Sequence, residues 1–175
     1  MVFFRKPRLS VLILTLGGLC LSLSACASWF QQREQAPLPD AAIKSLSYQT
    51  VLPFINTDQG REMLETEPLH TRLTQLLGNT HRETFTASRE LLLPVSQVME
   101  GYVLSEGHNA ANTLRSLIVV DPDRELLAVV LLNAETLNYR VLQQQSQHPE
   151  ATEAALEEMY QYADRWALGQ LGMAD

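Results

Sequence analysis

Two apolar runs joined by a tight turn decide the fold: residues 113–133 have the sequence TLRSLIVVDPDRELLAVVLLN. Both runs are rich in aliphatic and β-branched side chains, which favour strands. The turn Asp121-Pro122-Asp123-Arg124 has proline at its second position, where the fixed φ of proline suits a tight turn. Because this connection is too short for a helical crossover, the two strands are predicted to be antiparallel.

The same strand pattern extends on both sides of this hairpin. Residues 95–105 and 136–143 are short, rich in branched and aromatic side chains, and bounded by turn residues. Their connections to residues 113–133 are also short, so they are expected to join the same antiparallel sheet. We therefore predict an antiparallel sheet of four to five strands.

Helical patterns flank the predicted sheet. Residues 57–78 have leucines at helical spacing and indicate a helical hairpin or one kinked helix that ends at Gly78. A C-terminal helix is predicted to begin at Pro149, with apolar residues at helical spacing as far as Trp166. The expected class is α+β, with N-terminal helices, the antiparallel sheet and a C-terminal helix.

The N terminus has the pattern of a secretion signal. Arg5, Lys6 and Arg8 precede an apolar run over residues 9–23, which is too short for an ordinary membrane-spanning helix. The sequence Leu23-Ser24-Ala25-Cys26 resembles the lipobox of bacterial lipoproteins. That resemblance implies cleavage before Cys26 and a lipid, palmitate included, on this residue. A plain signal peptide cut near Ala25 or Ala27, with a free Cys26 thiol, is the alternative.

Location and domain boundaries follow from this signal. Ala27 after the cysteine resembles the sorting pattern for the outer membrane, which implies a lipid-anchored protein that faces the periplasm. We predict a signal peptide over residues 1–25, a lipidated tether over residues 26–40 with Pro37 and Pro39, and a single α+β domain over residues 41–175.

The charge of the predicted mature chain restricts the classes of partner that it can bind. The signal contains 3 of the 13 basic residues and none of the 20 acidic ones, which leaves 10 against 20 and a net charge of −10. Such a chain repels nucleic acid and is attracted to a cationic partner. Cys20 leaves with the signal and Cys26 is acylated, so we expect the domain to fold without a disulfide.

Motifs of known enzyme classes are absent from the sequence. There is no glycine-rich phosphate loop, nucleophile elbow, His-Glu-x-x-His helix or Cys-x-x-Cys pair. The four histidines, at positions 70, 81, 108 and 148, lack the spacing of metal ligands. We predict that the protein is not an enzyme and uses no cofactor or metal. A hydrolase that uses two of its many carboxylates is an alternative that no motif supports.

One connector between predicted strands has residues suited to a protrusion. Residues 105–112 read SEGHNAAN, and Gly107 and Asn109 both tolerate left-handed backbone geometry. The segment is therefore expected to project from the sheet with His108 at its apex. The alternative is an ordinary hairpin loop with a solvated histidine.

The sequence around this connector resembles a known family. Residues 98–120, VMEGYVLSEGHNAANTLRSLIVV, look like the centre of the Ivy family, inhibitors of vertebrate c-type lysozyme. In that family a strand leads into a Cys-Lys-Pro-His-Asp-Cys loop and then into a second apolar strand. The segment His148-Pro149-Glu150 followed by a helix with Trp166 is also similar to the family's C-terminal part.

The family loop is altered in this chain. Ser105 and Ala110 occupy the two cysteine positions, Glu106-Gly107 replaces Lys-Pro, and Asn109 replaces Asp, so only His108 is retained in register. Without the disulfide and the proline, the loop is expected to lose more conformational freedom when it docks, which predicts weaker or altered inhibition.

The resemblance implies an inhibitory loop of Glu106, Gly107, His108 and Asn109, which enters the active-site cleft of a lysozyme or lytic transglycosylase. The histidine would hydrogen-bond the two catalytic carboxylates of such a cleft. The alternative function is a structural or assembly lipoprotein of the cell envelope that binds another protein partner. Whether the chain forms a homodimer stays open.

Overall fold

The structure is a computed structural model, which describes residues 32–36, 47–144 and 149–173. The predicted signal peptide and its lipidation site Cys26 lie outside the described residues, as does His148.

Four long antiparallel strands form the centre of the sheet, as the sequence predicts. They are β4 (Val103–His108), β5 (Leu114–Asp121), β6 (Leu126–Asn133) and β7 (Asn138–Gln144). Three short strands extend the sheet: β1 (Gln32–Ala36), β2 (Leu91–Leu92) and β3 (Ser96–Gln97). The order is β1-β7-β6-β5-β4-β2, with β3 also paired to β4.

The strand predicted over residues 95–105 is instead a hairpin. Ser96 and Gln97 pair with Leu104 and Val103, so the chain reverses direction before β4 begins. The amide of Gly101, at φ 85°, donates to the carbonyl of Val98 at 2.9 Å and closes this turn. A left-handed φ is unstrained at glycine, which explains why the turn forms here.

The predicted tether also includes a strand. Residues Gln32–Ala36 pair with β7 in parallel, from Gln32 opposite Arg140 to Ala36 opposite Gln144. The sequence QREQA has no apolar alternation, so it gave no signal for a strand. A polar sequence is nevertheless suited to the edge of a sheet, where charged side chains discourage pairing with other chains. The sheet therefore begins before residue 41, the predicted start of the domain.

Helices cover both faces of the sheet. A 3-10 helix (Tyr48–Phe54), α1 (Gly60–Leu64) and α2 (Leu69–Ala87) pack on one face, and α3 (Pro149–Gln170) packs on the other. This placement explains the apolar runs in β5 and β6, because a strand covered on both faces needs no polar alternation. The α+β class, with helices before the sheet and one after it, is confirmed.

Helix α2 departs from prediction at Gly78. The glycine has φ 53° and ψ −156°, which interrupts the helical geometry, but helical turns resume and continue to Ala87. The predicted end of the helix at Gly78 is therefore wrong, although the helical geometry is interrupted there. Phe85 in the second part is buried in the core, so packing stabilises the turns beyond the kink. None of the described helices combines the length and the apolar character needed to cross a membrane.

Candidate functional site

The predicted inhibitory loop is mostly strand. Glu106, Gly107 and His108 belong to β4 and stand opposite Leu117, Ser116 and Arg115 of β5. His108 is therefore the last residue of a paired strand, and its side chain is only partly exposed. The prediction of a protrusion with His108 at its apex is wrong, because β4 stays paired with β5 as far as His108, three residues beyond the predicted strand end at residue 105.

Alternation along β4 separates the predicted residues between the two faces. Glu106 lies on the α3 face, where its carboxylate accepts a hydrogen bond from the indole Nε1 of Trp166 at 3.2 Å. His108 lies on the same face, because side chains two residues apart share a face. Gly107 faces the other side, against Ser88, Arg89 and Leu92. The four predicted residues therefore do not form one contact surface.

Gly107 has a packing role rather than a conformational one. A Cβ at this position would lie 2.9 Å from the carbonyl oxygen of Ser88 and 3.0 Å from Cδ of Arg89. Its φ is not in the left-handed region. The glycine is needed because the backbone after α2 passes directly over β4.

The exposed turn begins after His108 and is closed by Asn109. The side-chain Oδ1 of Asn109 accepts from the amides of Thr113 and Leu114 at 2.8 and 3.0 Å. Its Nδ2 donates to Oγ1 of Thr113 at 3.1 Å, and its own amide donates to the carbonyl of Leu114 at 2.9 Å. We call residues 109–113 the clasped turn. These bonds hold its backbone in one conformation.

The tip of the clasped turn is exposed, and a residue outside the turn also holds it in place. Ala110, Ala111 and Asn112 are exposed, and Asn112 takes the left-handed conformation at φ 56°. The amide of Ala110 donates to Glu90 Oε2 at 2.7 Å, which ties the tip to the segment after α2. The apex of the connector is therefore Ala110–Asn112, not His108.

His108 lies at the base of the clasped turn. Its Nδ1 is 3.0 Å from the carbonyl oxygen of Asn109, so a proton on Nδ1 makes a hydrogen bond to the backbone. This bond leaves Nε2 without a described partner, as donor or acceptor according to the protonation state. Arg115, directly opposite His108, donates to Gln170 of α3.

Carboxylates and aromatic rings continue along the α3 face of β4. The rings of Tyr102 and Tyr162 meet edge to face, with centroids 5.6 Å apart. Burial raises the pKa of Tyr162, and the neighbouring Glu106 raises it further. The contacts of Tyr102 with Tyr162 and of Glu106 with Trp166 connect β4 to α3.

Tyr102 offers a test of this packing. Its ring is buried, and among the described residues its hydroxyl has no hydrogen-bond partner. We expect Tyr102→Phe to leave the free energy of unfolding at pH 7 unchanged or to raise it by up to about 1 kcal/mol, because a buried hydroxyl without a partner is unfavourable. Urea unfolding of both proteins measures the change.

The difference in the free energy of unfolding between the unaltered protein and Tyr102→Phe should increase at alkaline pH. Burial, with Glu158 and Asp121 nearby, raises the pKa of Tyr102 from 10.0 to about 12. A raised pKa contributes stability that is present below pH 10 and is lost as the pH rises to 12. Stability of the unaltered protein should therefore fall more steeply than that of Tyr102→Phe between pH 10 and 12. Parallel pH profiles would contradict this.

A second buried cluster lies on the α2 face and had no signal in the sequence. Arg72, only 4% exposed, stacks on the ring of Tyr48 at 4.7 Å and lies 3.9 Å from Glu125. The Tyr48 hydroxyl donates to Oε1 of Gln144 at 2.8 Å. Burial raises the pKa of Tyr48, although Arg72 opposes the shift. The cluster therefore joins the 3-10 helix to α2 and β7.

No group of three or more histidines, cysteines or carboxylates suited to a metal ion occurs among the described side chains. Comparison with known proteins adds no assignment: no family model, curated protein or solved structure matches the chain.

Proposed function

We propose that the protein is an acidic lipoprotein of the bacterial envelope, which binds a cationic glycan-cleaving enzyme and blocks its active-site cleft. The enzyme is a lysozyme or a lytic transglycosylase. The observation that carries the proposal is the clasped turn, an exposed tip that is held rigid on two core strands. A preformed tip loses little conformational freedom on docking, which favours insertion into a groove.

The hydrogen bonds of the clasped turn can take the place of the disulfide that the resembling family has in its loop. Lysozyme inhibitors of the Ivy family close the corresponding loop with a disulfide, and this chain has Ser105 and Ala110 at the cysteine positions. Here the bonds from Asn109 to Thr113 and Leu114 restrain the turn instead. Ala110–Asn112 would enter the cleft, and His108 would reach a cleft carboxylate from the base of the turn through Nε2.

Charge supports the choice of partner. A mature chain of net charge −10 is attracted to a cationic enzyme at long range, and this attraction weakens as salt is added. Glu90 lies beside the turn tip and contributes negative charge there. A lipid on Cys26 would keep the inhibitor near the peptidoglycan.

Lipidation of Cys26 can be tested directly. Labelled palmitate should be incorporated into the unaltered chain and not into Cys26→Ser.

Inhibition of cell-wall hydrolysis tests the proposal. The full chain, expressed with its own N-terminal segment and purified in mild detergent, is titrated against c-type lysozyme and a lytic transglycosylase. We expect inhibition, and about a tenfold higher half-inhibitory concentration for Asn109→Ala, since about 1.4 kcal/mol of lost preorganisation corresponds to tenfold. His108→Ala should also weaken inhibition.

The matched control is Asn109→Asp, which retains an oxygen acceptor for the amides of Thr113 and Leu114. It should inhibit within a few-fold of the unaltered protein. If the unaltered protein inhibits neither enzyme at concentrations well above that of the enzyme, the proposed function is wrong.

The second candidate is an assembly lipoprotein that binds another envelope protein. The position of His108 within β4 favours it, because a histidine at the base of the turn reaches less deeply than one at the apex. A photo-crosslinking amino acid at Ala111 distinguishes the two in living cells. Crosslinks to cell-wall hydrolases support inhibition, and crosslinks to other envelope proteins support assembly.

A further inference from the structure

Four residues other than glycine adopt a left-handed backbone in the described chain, and for three of them the residue type or a side-chain contact accounts for the residue found there. Asn56 and Asn112 are asparagines, which tolerate this conformation. Glu125, at φ 55°, places its carboxylate 3.9 Å from the buried Arg72 guanidinium. The fourth is Leu137, at φ 53°.

Leu137 is the last residue of a four-residue hairpin loop between the paired Asn133 and Asn138, and this position is left-handed here as it is at Glu125 in the equivalent loop between Asp121 and Leu126. The loop explains the conformation, but leucine is not a residue type that tolerates it. Leu137 lies in the turn between β6 and β7, its exposed fraction is 45%, and it belongs to neither hydrophobic core. Leucine is strained in the left-handed region, and an exposed leucine gains nothing from burial. Asparagine or glycine would suit the folded chain better at this position. Strained residues with no structural benefit are concentrated at functional sites.

The turn that carries Leu137 lies beside the clasped turn. Leu114 pairs with Asn133, and the carbonyl of Thr113 accepts from the amide of Ala134 at 2.8 Å. The two turns are separated by two strand spacings, about 10 Å. The second turn is also rigid, since Oδ1 of Asn133 accepts from the amides of Glu135 and Thr136 at 3.0 and 3.1 Å.

Other exposed apolar side chains lie at this end of the sheet. Leu91 is 50% exposed and pairs with His108. Met173 is 46% exposed and follows the end of α3, where Gln170 contacts Arg115. Exposed carboxylates accompany them, Glu90 at the first turn and Glu135 at the second. This end of the sheet therefore combines exposed apolar side chains with two exposed carboxylates, beside the partly exposed Arg115.

We infer that Leu137 is the apolar anchor with which this surface binds the wall of the cleft of a cationic glycan-cleaving enzyme. The inference rests on the proposed function and adds a second point of contact to it. Ligand clefts are lined mainly by apolar and aromatic side chains, which a leucine can contact closely. The clasped turn and a rigid anchor about 10 Å away can contact a partner groove at two points. Glu90 and Glu135 are opposite in charge to a cationic partner.

The test compares stability and inhibition in the same variants. In Leu137→Asn, we expect the melting temperature of the full chain to rise by about 3 °C, because the backbone strain is relieved. The half-inhibitory concentration against the enzyme that the unaltered protein blocks should rise at least tenfold. Leu137→Met keeps an apolar side chain and should keep most of the inhibition.

Met99→Asn is the control for loss of an exposed apolar side chain. Met99 is fully exposed in the turn between β3 and β4, at the opposite end of β4, so inhibition should not change. If the unaltered protein inhibits and Leu137→Asn inhibits equally well, the anchor is wrong while the proposed function stands. If the unaltered protein inhibits neither enzyme, the proposed function fails, and the anchor fails with it. A lower melting temperature for Leu137→Asn would overturn the assignment of strain.

Discussion

Gly107→Val is expected to lower the free energy of unfolding by about 3 kcal/mol, the largest effect of any single substitution considered in β4. The first carbon of the new side chain would lie 2.9 Å from the carbonyl oxygen of Ser88 and 3.0 Å from Cδ of Arg89. Backbone oxygen cannot move without displacing the end of α2. Urea unfolding followed by circular dichroism measures the loss.

The backbone conformation does not contribute to this effect. Gly107 has an ordinary φ, so valine can adopt it and the loss reports the steric contact alone. Gly169→Ala is the matched control, because no atom lies within 4 Å of its added Cβ and it stands in α3. It should raise stability by about 0.5 to 1 kcal/mol. An unchanged unfolding midpoint for Gly107→Val would contradict the close contact between β4 and the segment after α2.

This result bears on the interpretation of inhibition experiments. Gly107 belongs to the predicted inhibitory loop, yet its substitution should disturb folding. Lost inhibition in a Gly107 variant would therefore not show that the residue contacts an enzyme. Asn109 and Leu137 are better probes, since each has a matched variant that separates binding from folding.

Arg89→Met is expected to lower the free energy of unfolding by about 2 to 3 kcal/mol. The guanidinium, in a residue only 7% exposed, donates through Nη1 to the carbonyl of Ser105 at 2.9 Å and through Nη2 to its Oγ at 2.5 Å. Methionine fills much of the same volume but leaves both buried oxygens of Ser105 without this donor. Burial lowers the pKa of Arg89 to about 10, so the lost donor is charged at pH 7.

A double-mutant cycle with Ser105→Ala isolates the side-chain part of this interaction. We expect Ser105→Ala to be less destabilising by about 1 kcal/mol in the Arg89→Met background than in the unaltered protein. Additive losses would show that the bond to Oγ contributes nothing, and that Arg89 stabilises the chain through its bond to the Ser105 carbonyl and its packing on Phe85, whose ring centroid lies 5.7 Å from the guanidinium carbon.

The predictable parts of the fold are those with strong local patterns. The hairpin of residues 113–133 is confirmed, with Val119 opposite Ala128 in the register that the Asp121 turn requires. The side chain of Asp121 accepts from the amides of Asp123 and Arg124 at 3.1 and 2.9 Å, as turn chemistry predicts. Strand β1 had no such pattern, because a polar edge strand is specified by its partner β7 rather than by its own composition.

The candidate site was predictable in position but not in geometry. The connector between β4 and β5 is residues 109–113, so it overlaps the predicted connector only at residues 109–112, and Asn109 closes it. A glycine at position 107 predicts a bend, because glycine permits one, whereas its role in the structure is to leave room for the backbone of Ser88. Leu137 could not be recognised at all, because its strain depends on a φ that no single residue type reveals.

The α+β class, the central antiparallel strands and the charge of the chain follow from the residues, since these features depend on local propensity, short connections and residue counts. The end of β4, the residues of the exposed tip and the side chains that meet across the sheet are evident only in the folded chain. These features depend on contacts between segments far apart in the chain, such as Arg89 with Ser105 and Glu106 with Trp166. Local patterns carry no information about such contacts, because they form only when the sheet and helices pack together.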